Sequence, residues 1–164
     1  MDAMLREQFA RTLDGVPAGD PWPVLMDSGF LDLLATGLPL EALFEIAVET
    51  GHRPTSPAIV ETILARLRDS DATAVTDAEA SLIASGMVPD LARSLAAAAA
   101  AAQIAGAVQA LLTMTVDYAG VRQQFGRPIG KFQAVQQQLA VAVEEVHAAF
   151  VAARAALNGP PELI

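Results

Sequence analysis

Apolar residues recur along most of the chain at spacings of three and four, the period of a helix with one face turned inward. Leu5, Phe9 and Leu13 predict a first helix over about residues 2–14, closed by the Gly- and Pro-rich stretch from Gly15 to Pro21. Asp20-Pro21 reads as the cap and first turn of a second helix, running from Trp22 to about Ala35. Pro39 opens a third that reaches Thr50 before Gly51. Ser56-Pro57 opens a fourth, with Ile59, Val60, Ile63, Leu64 and Leu67 on one face.

From Arg68 to Gly86 the helical period is lost, and the alternation of polar and apolar residues suits a linker or a strand pair turning at Thr76-Asp77. Pro89-Asp90 then starts a long helix extending to between Gly120 and Phe125. Ile104, Val108, Leu111, Leu112 and Thr115 mark one of its sides, while Ala98, Ala102 and Gly106 form a smooth strip that another helix can approach closely. GRPIG interrupts as a turn. In the last helix, Phe132, Val135, Leu139, Val143, Val146, Phe150, Ala153 and Leu157 form a near-heptad seam, which needs a partner helix; Asn158-Gly159-Pro160-Pro161 stops it. The pattern predicts an all-α chain. Residues 1–67 form an N-terminal helical part, 68–88 a linker or vestigial β segment, and 89–164 a long antiparallel helical hairpin, all in one compact unit. The apolar surface of that hairpin exceeds what two helices cover mutually, so a dimer completing a four-helix bundle is expected.

Composition strengthens the helical reading, because much of the 53% hydrophobic content is alanine and only 5% of the chain is aromatic. The net charge of −9 argues against nucleic acid or anionic lipid as a partner. No cysteine is present, which excludes disulfides, thiolate nucleophiles and Cys-ligated metals and fits a reducing cytoplasm. The first residues do not resemble a secretory signal. Leu95 to Val116 carries no charge and is long enough to span a bilayer; its alanines, glutamines and threonines favour a buried bundle helix over a membrane span.

Against this acidic background, Arg122, Arg127 and Lys131 fall within ten consecutive positions that hold no carboxylate. They lie at a helix–turn–helix corner, where the amides opening the next helix favour an anion such as a phosphate or pyrophosphate. The same residues also read as a plain turn, with solvated cations capping the preceding helix. Other candidates are weaker. Adjacent Glu144 and Glu145, with His147, point to different helix faces, so no metal site is expected there. His52 reads as a helix-terminus residue, and Trp22 and Phe44 as core. GRPIGK lacks the spacing and the Ser or Thr of a phosphate-binding loop.

The block YAGVRQQFGRPIGKFQAVQQQLA resembles the acyl-CoA dehydrogenase family, which carries Tyr118, Arg122, Phe125, Gly126, Pro128, Ile129, Phe132, Gln133 and Gln136 in this order and spacing. The alanine-rich helix before it, the Trp22 segment and EIAVETGHRP resemble that family more loosely. The resemblance implies FAD as cofactor, with Arg122 on its pyrophosphate, Phe125 packed on it and Gln133 hydrogen-bonded to it, in a site shared with a neighbouring subunit. It also implies what is missing: the family's central β-domain, reduced here to 68–88, and the end of its C-terminal helical domain. The family's catalytic base is a Glu late in that domain, or in some members near the start of the long helix, where Ala96 stands. No carboxylate occurs between Asp90 and Asp117. The expectation is therefore a partner subunit, binding a second copy or a longer dehydrogenase chain, in α,β-dehydrogenation of an acyl-CoA. The alternatives are a helical interaction module that no longer binds flavin, and an enzyme active alone with an unrecognised base.

Overall fold

The computed structural model describes residues 2–16, 21–53, 58–72 and 75–157. Seven α-helices follow in order: α1 (Asp2–Asp14), α2 (Trp22–Ser28), α3 (Leu40–Gly51), α4 (Ile59–Ala65), α5 (Ala78–Ala84), α6 (Pro89–Val121) and α7 (Gln133–Leu157). Short 3-10 turns cover Phe30–Asp32 and Ile129–Lys131, and two-residue strands β1 (Gln123–Gln124) and β2 (Arg127–Pro128) pair antiparallel between the long helices. The all-α architecture follows the apolar periodicity.

Two segments differ from expectation. The second helix ends at Ser28 because Gly29 takes a left-handed conformation, at φ 75°, and the chain continues as a 3-10 turn. The segment expected to be a linker or strand contains α5, since Asp77 accepts a hydrogen bond from the Ala80 amide and caps a helix where a β-turn was expected. Seven residues are too few to display a helical period, and Leu82 is the one large side chain this helix buries completely. The expected cap at Asp20, the Ser56-Pro57 start and the Asn158–Pro161 stop lie outside the described residues.

The core sits where α3 crosses α6. Residues Ala42 to Thr50 of α3 are all buried, so this helix is sheathed on every side. From α6 it meets Ala98, Ala102 and Gly106, the strip of small residues. Two glycines let the backbones touch. A Cβ on Gly106 would lie 2.0 Å from the Val48 carbonyl oxygen, and one on Gly51 2.0 Å from the Gln103 carbonyl oxygen. Phe9, Leu25, Phe30, Ile59, Ile63 and Leu82 close the core from α1, α2, the first 3-10 turn, α4 and α5.

Ion pairs tie the short helices on. Glu49, nearly buried, receives Arg6 Nε at 3.1 Å from α1 and Arg53 Nη2 at 3.3 Å, while Arg53 also reaches Asp14 at 2.7 Å. His52 caps α3, as its position suggested, and bridges Arg6 to Gln109 of α6. Buried Arg66 fastens the end of α4 to Asp32 at 2.7 Å and to the Ala72 carbonyl at 2.8 Å.

The near-heptad seam of α7 is covered mainly at its far end. Ala153 and Leu157 are buried, Phe150 packs edge-on against Phe44 of α3 at 5.0 Å, and Val143 is exposed. Length and composition would let α6 cross a bilayer, yet its small-residue side is built into the core. Of its expected apolar side, Ile104, Leu111 and Thr115 are exposed, while Val108 and Leu112 are half-buried.

Candidate functional site

The corner joining α6 to α7 is built from its backbone upward. Arg122 leaves the helix in an extended conformation while its N–H still bonds the Tyr118 carbonyl at 2.8 Å. The chain then reverses through β1 and β2, with Gln124 opposite Arg127 and Gln123 opposite Pro128, so Phe125 and Gly126 are the two turn residues. Both have positive φ, 52° and 77°, as the tight hairpin turn matching strand twist requires. Gly126 adopts this freely. Phe125 does not, and it is the one non-glycine residue at positive φ among the described residues.

Below the turn the corner is rigid. The Ile129 amide bonds the Arg122 carbonyl at 2.8 Å, and Gln136 Nε2 donates to the Gly130 carbonyl at 3.0 Å. Gly130 sits against Ala119 of α6, where a Cβ would come within 3.1 Å of the carbonyl oxygen. Phe132 is half-buried, with the Arg127 guanidinium 4.2 Å above its ring and the Phe125 ring edge-on at 6.1 Å.

Above it the corner is open. Phe125 is 93% exposed, and Arg122 and Gln133 are exposed as well. The structure therefore brings the three sequence-predicted residues onto one corner without any bond between their side chains. Elsewhere Arg6, Arg11, Arg53, Arg66, Arg93 and Arg154 pair with carboxylates, and among the described residues outside the corner Arg68 alone does not. Among the described residues, no carboxylate pairs with Arg122, Arg127 or Lys131. The charge is thus uncompensated, which suits a phosphate, and an aromatic face stands beside it.

The other candidates separate from this corner. Glu144, Glu145 and His147 are exposed, His147 lies against the Val143 carbonyl of its own helix, and no group of three potential metal ligands forms among the described residues. Phe44 is fully buried and Trp22 packs against the core, as expected. A groove of about 610 Å³ between α1, α3 and α7 is lined by Arg6, Glu45, Glu49 and Arg154, whose charges are already paired with one another. Sequence reasoning did not foresee the strain at Phe125, although Gly126 after it in a short hairpin was the signal.

The corner lies within the part of the chain that a family model matches. The model of the acyl-CoA dehydrogenase C-terminal domain matches residues 93–162. Acyl-CoA dehydrogenase IpdE2 of Mycobacterium tuberculosis is 45% identical over 67 residues, 41% of this chain and 20% of the relative. Acyl-CoA dehydrogenase FadE34 of the same organism is 50% identical over 68 residues, 39% of this chain and 10% of the relative. These matched parts are a fifth and a tenth of the relatives' lengths. No solved structure matches the chain significantly. The family match covers most of α6, the whole corner and α7, and over those residues this chain is similar to the C-terminal domain of acyl-CoA dehydrogenases.

Proposed function

We propose that this chain is a partner subunit in acyl-CoA α,β-dehydrogenation, supplying the α6–α7 corner to an FAD site completed by another chain. The observation that carries this reading is Phe125, held at φ 52° with its ring 93% exposed. A large apolar side chain in a strained conformation, projecting into water with only an edge contact to Phe132, adds little to the isolated fold and marks a functional contact. In this reading Arg122 neutralises the pyrophosphate, Phe125 covers the cofactor and excludes water, and Gln133 orients it by hydrogen bonding. FAD, when bound, supplies the hydride acceptor. The α-proton needs a base, and α6 offers no carboxylate between Asp90 and Asp117. The partner chain is therefore assigned that role.

The test is to purify the chain alone and together with a dehydrogenase encoded beside its gene, and to record bound flavin by absorbance. Flavin retained only in the mixture, and lost with Arg122→Ala, is the expected outcome. Colourless protein in both preparations would instead favour a helical interaction module without flavin. Acyl-CoA turnover by the isolated chain would overturn the assignment of the base to a partner.

A further inference from the structure

The α6–α7 corner holds an apolar ring in water, and something in the chain must set where that ring points. Phe125 projects from the tip of the hairpin and is 93% exposed. Its one ring contact among the described residues is Phe132, at 6.1 Å with the two planes at 86°. An exposed phenylalanine otherwise has several staggered wells open to it. The direction of Phe125 therefore depends on how firmly Phe132 is held.

The backbone of Phe132 is fixed on both sides. Its N–H bonds the Ile129 carbonyl at 3.1 Å and closes the 3-10 turn, while its carbonyl accepts the Gln136 amide at 3.0 Å as α7 begins. Rotation of the ring is left, and there Arg127 acts. Its guanidinium stands 4.2 Å from the ring centroid, within cation–π range. Arg127 is itself anchored, because it pairs with Gln124 across the two strands at the residue that follows the turn. No carboxylate competes for its charge among the described residues. A planar, weakly hydrated guanidinium suits this stacking better than a lysine ammonium does.

We infer that Arg127 is a positioning residue: through the Phe132 ring it holds Phe125 in its outward pose, and it is not a ligand of the anion. The three cations of the corner then have different tasks. Arg122 and Lys131, with neither a ring nor a carboxylate against them among the described residues, are left for the phosphate, while Arg127 shapes the aromatic contact. What Phe125 is positioned for rests on the shared-site reading; the positioning itself does not.

The chain has six phenylalanines, so isotopic labelling of this residue type makes the pose directly measurable as the nuclear Overhauser contact between the Phe125 and Phe132 rings. A cation–π contact at an exposed site shifts a population by about twofold to fivefold. Arg127→Gln, with helical circular dichroism unchanged, should weaken the ring contact by that factor. An unchanged contact overturns the inference, whether or not flavin binds. FAD titrated into the mixture with the dehydrogenase encoded beside the gene gives the second measurement, as a double-mutant cycle with Phe132→Leu. Acting through the ring, Arg127→Gln weakens FAD retention about twofold to fivefold beside Phe132 and has no further effect beside Phe132→Leu. Two losses that simply add mean that Arg127 meets the anion directly, and the inference fails. A mixture that binds no FAD refutes the shared-site reading, and the ring contact then decides the role of Arg127 by itself.

Discussion

Gly106→Ala tests the α3–α6 crossing on which the rest of the fold is assembled. The added Cβ would lie 2.0 Å from the Val48 carbonyl oxygen, 2.8 Å from its carbon and 2.9 Å from its Cα. All three are backbone atoms of a helix buried on every side, so no side chain can swing away and the helices must part. Ordinary contact begins near 3.4 Å. Overpacking of this kind costs about 3 kcal/mol at the upper end of its usual range. Alanine returns about 1 kcal/mol by its better helix propensity, leaving a net loss of about 2 kcal/mol. For a chain of this size that lowers Tm by about 4–8 °C. Gly120→Ala is the internal control: in the same helix, with nothing within 4 Å of its Cβ position, it should gain about 0.5–1 kcal/mol. Thermal and urea unfolding followed by circular dichroism at 222 nm measures both. If Gly106→Ala matches or exceeds the wild-type midpoint, the close crossing is not how α3 and α6 pack.

Three further outcomes follow from the same geometry. Phe125→Gly should leave stability unchanged or raise it by up to about 1 kcal/mol, because the turn strain disappears, while flavin retention in the complex falls; a clear loss of Tm would show that Phe125 supports the fold. Glu49→Ala removes the nearly buried partner of Arg6 and Arg53 and should cost about 2–3 kcal/mol, with early proteolytic release of α1; unfolding in a single unshifted transition would refute the tethering role. Asp77→Ala should cost about 1 kcal/mol through loss of the α5 cap, and amide exchange at Ala80 should accelerate; protection equal to wild type would remove the cap's significance.

Much of this molecule is determined by local information. The spacing of Leu5, Phe9 and Leu13, the proline before Leu40, and the Ile59–Leu64 face set helices that the structure places close to the expected bounds. The strip of Ala98, Ala102 and Gly106 was legible because residues four apart share a helix face, and small residues permit close approach. The corner block was legible too, since Arg122, Phe125 and Gln133 hold fixed places in a family motif. Gly29 and Asp77 were harder: a left-handed break and a single-turn cap act within one residue, below the window over which periodicity is measured.

Tertiary structure decided the rest, because it depends on which face meets which neighbour. Both sides of α6 are apolar, so hydrophobicity does not say that the alanine side is buried on α3 and the Ile104–Val121 side left open. That choice comes from the close backbone crossing at Gly51 against Gln103 and Gly106 against Val48, which bulky residues would prevent. The same holds at the corner. Sequence placed the cations near Phe125, and only the folded chain shows them without carboxylate partners, beside a ring held at positive φ over a buttress of Phe132 and Arg127.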